Sequence, residues 1–299
     1  MNPPNTWPAH ISGGLNDGEL ADVPLCPWRA DQRGRLPPAG PLQLGPPTLG
    51  SGRPVTPRPF DGSSPAPALW ISDEPPPYAA GAWAALAERF PATGLWPLRL
   101  HSLYDGSGRP WSGGELEPVS EADVDVIDVR ETLEHGWRES LVPIRNPWPP
   151  GTGPLAPFGS EFPGLARSQP AQGPVAFTAG PSQLGLVSCR RPADAVALAG
   201  WPGAVNVTGA AQVSAVLRSW EDRLGAVLVG LSFATITLLV TRPPTTEEDA
   251  LRVAAEVAAF CPDALWQPEA LASSRPRTAT LESMSRLLVC ERVWHLWFD

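Results

Sequence analysis

Lysine is missing altogether: all 22 cationic residues of this 299-residue chain are arginine. Methionine and tyrosine occur twice each, histidine and cysteine four times. Against 31 acidic residues and a formal net charge of −9 there is no basic run. The clustered cations that hold a polyphosphate backbone or an anionic bilayer are therefore absent, and nucleic-acid and membrane binding are both disfavoured. The longest apolar run, Ala226 to Val240, is broken by Gly230, Ser232, Thr235 and Thr237, short of the roughly 20 residues that span a bilayer. Met1 to His10 has neither a basic residue nor an apolar stretch and does not resemble a secretory signal. Cys26, Cys189, Cys261 and Cys290 form no C-x-x-C pair. Scattered thiols suit a reducing compartment better than a disulfide framework, so the expected location is the cytoplasm. No phosphate-cradling glycine loop, nucleophile elbow, H-E-x-x-H pair or zinc spacing occurs; no metal or cofactor is expected, and no catalytic residue is assigned.

What the chain has in excess is proline, 39 residues in all. Residues 1–65 hold 14 of them, 66–182 hold 18 and 183–299 only 7. Proline removes a backbone donor and fixes φ, which works against long helices and central strands where it is dense, so the last 117 residues are where a regular core is expected. Residues 1–35 show no periodicity and are expected to be disordered. Residues 36–182 are expected to form a proline-rich α+β region with irregular loops, and 183–299 a C-terminal α+β domain. All-arginine cations with abundant Ala, Pro and Gly also fit a GC-rich bacterial genome.

Several elements are legible from periodicity. Leu69–Ile71 and Leu95–Leu103 have strand character, Tyr78–Phe90 and Asp128–Glu139 helical stripes. Pro143 to Pro181 is either a linker or an irregular loop wrapping the body. Further on, Leu184–Cys189 predicts a strand, Pro192–Ala199 a short helix and Gln212–Leu224 an amphipathic helix. Ala226–Phe233 and Thr235–Thr241 predict a hairpin. Thr245 with Glu248 has capping-box spacing for a helix reaching Phe260, on which Glu248, Arg252 and Glu256 would form the only wet face. Thr278–Val289 predicts a helix, and Arg292–Asp299 a strand with Trp294, Leu296 and Phe298 on one side. The fold class is α+β, a mainly antiparallel sheet layered with helices and joined by long Pro/Gly-rich loops.

A family resemblance emerges from these residues. LGLVSCRRPAD (184–194), GWPGAVN (200–206), SAVLRSWEDRLGAVLVGLSF (214–233), AAEVAAFCPD (254–263) and VWHLWFD (293–299) resemble the bacterial domain-of-unknown-function family numbered 4253. LWISDEP (69–75), TGLWPLRL (93–100), RPW (109–111), GEL (114–116) and LAPFG (155–159) resemble its longer, actinobacterial members. The resemblance implies no activity. Where members often read A-E-H-F-A-F-C-P-D-N, this chain has Val257 for the histidine and Ala264 for the asparagine, which puts any family site using that histidine in doubt.

Nine residues stand out as binding candidates: Arg218, Trp220, Glu221, Asp222, Glu256, Cys261, Asp263, Trp297 and Asp299. Arg218, Glu221, Asp222 and Arg223 around Trp220 would form either a polar rim for a partner or the solvated face of a helix. Cys261 ends a helix, a position that disfavours a thiolate, and His101, His135 and His295 have no motif spacing to it. Asp123, Asp125 and Asp128 lack the glycine and terminal glutamate of a calcium loop, and Asp128 with Glu131 fits a helix start. Thirteen tryptophans would suit glycan stacking if exposed, but Trp83, Trp137, Trp220 and Trp294 fall on apolar stripes. The leading expectation is a non-enzymatic binding module with an unidentified protein partner, comparable by analogy to bacterial immunity proteins. The alternatives are a hydrolase with a cleft around Cys261, Glu256, Asp263 and Asp299, and glycan binding through exposed tryptophan.

Overall fold

The computed structural model describes residues 19–23, 28–42, 49–58, 65–103, 106–142, 149, 151–170, 172–173, 175–266 and 280–299. Ten strands are present among them: β1 (Glu19–Val23), β2 (Gly40–Leu42), β3 (Leu49–Val55), β4 (Leu69–Ser72), β5 (Leu95–Leu100), β6 (Val175–Ala179), β7 (Gln183–Ser188), β8 (Ala226–Leu231), β9 (Thr235–Val240) and β10 (Val293–Trp297). Eight α-helices accompany them: α1 (Ala79–Thr93), α2 (Glu121–Asp125), α3 (Val129–Gly136), α4 (Ala195–Ala199), α5 (Ala210–Leu224), α6 (Glu247–Phe260), α7 (Asp263–Trp266) and α8 (Leu281–Cys290).

Eight strands form one sheet in the order β10-β9-β8-β5-β7-β4-β3-β2, and β1 pairs with β6 in a separate ribbon. Every pair in the large sheet is antiparallel except β5 with β8. The protein is thus α+β with a mostly antiparallel sheet. β5 lies between β7 and β8, so a strand from residues 95–100 sits between two strands of the C-terminal region.

Two of the central strands are entered by the same local device. α1 ends at Gly94 and α5 at Gly225, both left-handed (φ 61° and 59°), and β5 and β8 begin at the next residue. A left-handed residue reverses the chain at a helix end at little steric cost only when it is glycine. At Gly94 the close approach of the Gln32 carbonyl, 2.2 Å from where a Cβ would stand, adds a second reason.

Two aromatic clusters anchor the core. Trp96 of β5 meets Trp83 and Phe90 of α1 edge-on and leans against Trp28, with centroids 5.7, 5.1 and 5.8 Å apart. Trp220 of α5 meets Phe260 of α6 and Trp294 of β10 edge-on at 5.1 and 5.8 Å, and Phe260 meets Phe298 at 5.4 Å. Edge-to-face contacts of this kind add to the area term of burial. Trp294, Leu296 and Phe298 are all buried, as the alternation of the closing strand predicts.

Some local expectations need correction. The cap of α6 is Thr246, whose hydroxyl accepts from the Asp249 amide, one residue later than the Thr245–Glu248 spacing suggests. Glu248 and Arg252 do pair on the surface, but Glu256 is fully buried and does not belong to a wet face. Before α3, Asp123 forms a capping box with Ser120, and Asp128 accepts from the Glu131 amide, so the acidic run serves two helix starts. Part of the N-terminal stretch expected to be disordered is built into the body. Residues 19–23 form β1, Trp28 is buried, and the Ala30 amide donates to Arg190 O. Residues 1–18 and 24–27 lie outside the described residues. The 151–170 segment is a wrapping loop: the Ala166 amide and the Pro163 carbonyl bond to Glu256 and Arg252 of α6.

Candidate functional site

The nine candidate residues do not converge; they fall into three places. On α5, Arg218 pairs with Asp194 and with Asp125 (2.6 Å). Glu221 is buried and pairs with Arg29 and Arg191. Burial raises the Glu221 pKa, opposed by the charges of Arg191 and Arg29. Exposed Asp222 accepts from the same two arginines at 3.1 and 2.8 Å. The polar face of this helix is therefore mostly turned inward, where it clamps residues 28–30 and 190–194 to the body.

The second place is Glu256. Its carboxylate accepts two hydrogen bonds from Arg223, one from the Trp220 indole (2.8 Å) and one from the Ala166 amide (2.6 Å). A buried carboxylate with so many donors ties α6, α5 and the wrapping loop together. The third place is the end of the chain. The Cys261 thiol donates to Trp297 O at 2.9 Å, and the Asp299 amide donates to Asp263 Oδ2 at 3.0 Å. Cys261 is fully buried, and burial pushes its thiol pKa well up, which works against a nucleophilic thiolate. Cys189 is likewise buried and free, with its pKa raised by burial.

The tryptophans are mostly core. Nine of the eleven described ones, including all four on the predicted stripes, are buried. Trp266 and Trp297 are half-buried, and Trp7 and Trp148 lie outside the described residues. Among the described residues there is thus no pair of exposed tryptophan rings for a sugar to stack on.

A constellation not foreseen from the sequence crosses the sheet. Arg99 of β5 is in register with Gly230 of β8, Gly230 with Thr237 of β9, and Thr237 with His295 of β10. Residues in one register row share a face, so Arg99, Thr237 and His295 stand on the side opposite Leu296 and Trp294. His101 follows two residues after Arg99, its ring nitrogen 3.5 Å from the guanidinium. The row is notched at Gly230, next to a β-bulge. A Cβ there would lie 3.0 Å from the Arg99 carbonyl and 3.3 Å from its Cβ, so the glycine lets the side chains on either side approach. Arg99 donates to Ser182 Oγ (3.1 Å) and Gly180 O (2.9 Å), and the Thr237 hydroxyl lies 3.1 Å from His295 Nδ1. The Trp111 indole, donating to His101 O, fixes the backbone at that end.

Charge is disfavoured on this row. Burial lowers the Arg99 pKa to about 10. Burial, then Arg99 and His295, lower that of His101 to about 4. Burial and Arg99 also lower His295, with Glu291 opposing. At neutral pH both imidazoles are uncharged, each offering one donor and one acceptor nitrogen. The only strand residues in sequence that hinted at the row are Arg99, which interrupts an apolar run, and His295, which occupies the off-phase of the Trp294-Leu296-Phe298 alternation.

A pH dependence follows. A histidine whose folded pKa lies below its unfolded value binds fewer protons when folded, so the stability linked to it is present above about pH 6.5 and lost as pH falls toward 4. For His101 the full loss would be about 3 kcal/mol at about 1.4 kcal/mol per pH unit. Urea unfolding of wild type and His101→Gln across that window should show the variant with the shallower acid-side decline. Parallel curves would mean that the imidazole is solvated and titrates normally.

These features define an α+β protein whose acidic and thiol groups mostly brace the scaffold, with a nitrogen-rich row on one sheet face. Residues 183–299 match the model of DUF4253, a domain of unknown function. No curated protein and no solved structure matches the chain. No described helix is long and apolar enough to cross a membrane.

Proposed function

We propose that the protein is a non-enzymatic binding module that engages a protein partner at the row formed by Arg99, His101, Thr237 and His295. The observation that carries this reading is the row itself: guanidinium, imidazole and hydroxyl groups set side by side across four strands of a rigid sheet. Its donors suit carboxylate or carbonyl groups of a partner, because both imidazoles and the hydroxyl can donate without first acquiring charge. Support also comes from the groups a hydrolase would use. Glu256, Cys261 and Asp263 are each hydrogen-bonded within the protein.

The test is comparative capture in the native host. Tagged wild-type protein should recover a partner in stoichiometric amount, and His295→Glu, which places a repelling charge at the exposed end of the row, should lose it at least tenfold while unfolding at the same urea concentration. Recovery of the bare protein alone, or equal recovery by the variant, would overturn the proposal.

A further inference from the structure

A second polar concavity lies against Trp111. The end of β3, the residues after it and the 111–114 turn enclose a cleft of about 340 Å³, walled by Arg53, Thr56, Arg58, Trp111 and Ser112 among others. Its two sides are pinned together. The Arg58 amide donates to Gly114 O at 2.8 Å, and Gly114 has φ +66° with the Thr56 carbonyl 2.6 Å from where a Cβ would stand. Trp111 is buried, and its indole N–H is committed to His101 O. The cleft is therefore preformed rather than assembled by a ligand.

Its chemistry is unlike that of the chain as a whole. In a protein of net charge −9, the lining contains two arginines and two hydroxyls and no carboxylate. Arg53 is paired at 2.7 Å with Asp73, which is not part of the lining. The Arg58 guanidinium makes no ion pair or hydrogen bond with any described residue, and the Thr56 and Ser112 hydroxyls are likewise uncommitted. Small-molecule sites commonly occupy about 300–1,000 Å³, so the volume suits a compact ligand at the lower end. We propose that this cleft binds a small molecule through one oxyanion group, a carboxylate or a phosphate. Arg58 supplies the attraction, and Thr56 and Ser112 supply donors from either side. This site has its own lining residues and meets the partner-binding row where the Trp111 indole donates to His101 O.

The full-length protein, labelled with ¹⁵N, would be titrated with sodium phosphate and, separately, with sodium acetate at constant ionic strength, following the Trp111 indole resonance. One of the two anions should produce a saturable shift and thereby identify the class. Arg58→Ala should weaken that binding about tenfold, the scale of a lost charge-assisted contact, while Arg58→Lys retains most of it and His295→Ala leaves it unchanged. Arg58 is exposed, so these variants should fold as wild type does. The proposal is overturned if neither anion gives a saturable shift, if Arg58→Ala binds equally well, or if His295→Ala abolishes the effect.

Discussion

Replacing Glu256 by alanine should destabilise the protein by about 3–5 kcal/mol, the range measured when one partner of a buried ion pair is removed. The side chain has no exposed surface, and its loss strands three groups at once. The Arg223 guanidinium loses both its hydrogen bonds to the carboxylate, and the Trp220 and Ala166 N–H groups lose their acceptor. Set against a typical total of about 5–15 kcal/mol, such a loss is a large share of the stability. The shift in the urea midpoint measures it. The double variant Glu256→Leu/Arg223→Met separates the causes. If an uncompensated charge dominates, removing both charges should restore most of the midpoint, since apolar replacements of buried pairs are often neutral. If the double variant is worse than Glu256→Ala, packing around the helix crossing dominates instead. A surface rung of an i,i+4 ladder would cost well under 1 kcal/mol on removal, so the size of the effect also distinguishes the buried arrangement from the wet face that the α6 sequence suggests.

Trp96→Ala should be comparably damaging, about 3–5 kcal/mol. Trp96 is fully buried, touches Trp28, Trp83 and Phe90, and donates from its indole to Leu228 O at 2.9 Å. That hydrogen bond runs from β5 to β8 and so links residue 96 directly to the region that matches DUF4253. Trp96→Phe keeps most of the volume and loses the bond, for about 1–3 kcal/mol with the carbonyl left unsatisfied. Hydrogen exchange provides the more informative measurement. Because β5 lies inside the sheet, amides of β3 and β4 on one side and of β9 and β10 on the other should lose protection together in Trp96→Ala. Retained protection of β9 and β10 alone would show that the two flanks open independently.

Much of the secondary structure is legible from composition and period, because hydrophobic spacing and capping act locally. α5 shows this well, with Val213, Val216, Leu217, Trp220 and Leu224 all buried along the predicted stripe. Asp128 as a helix cap is another such case. The failures share a cause. Glu256 has the spacing of a surface ladder with Arg252 and Glu248, and only the packing of Arg223 and Trp220 against it reveals an interior carboxylate. Trp28 and Arg29 lie in a segment without periodicity, yet they are held by Trp96 and Glu221, whose sequence distance hides the pairing. The row was invisible for the same reason: Arg99, Thr237 and His295 are set side by side by strand order, which no local pattern encodes. The nine candidate residues stand out by chemical type, and type alone does not say which groups the fold has already occupied.

The position of β5 bears on what the family boundary means physically. Neighbouring strands lie about 4.7–4.9 Å apart, so β7 and β8, both within residues 183–299, are held nearly 10 Å apart by a strand that the matched region does not contain. Taken alone, those residues would keep β8, β9 and β10 paired, while β7 would be left without either of its neighbours, β5 and β4. The upstream chain thus acts toward the matched region as an intramolecular donor strand, completing a sheet that residues 183–299 leave interrupted.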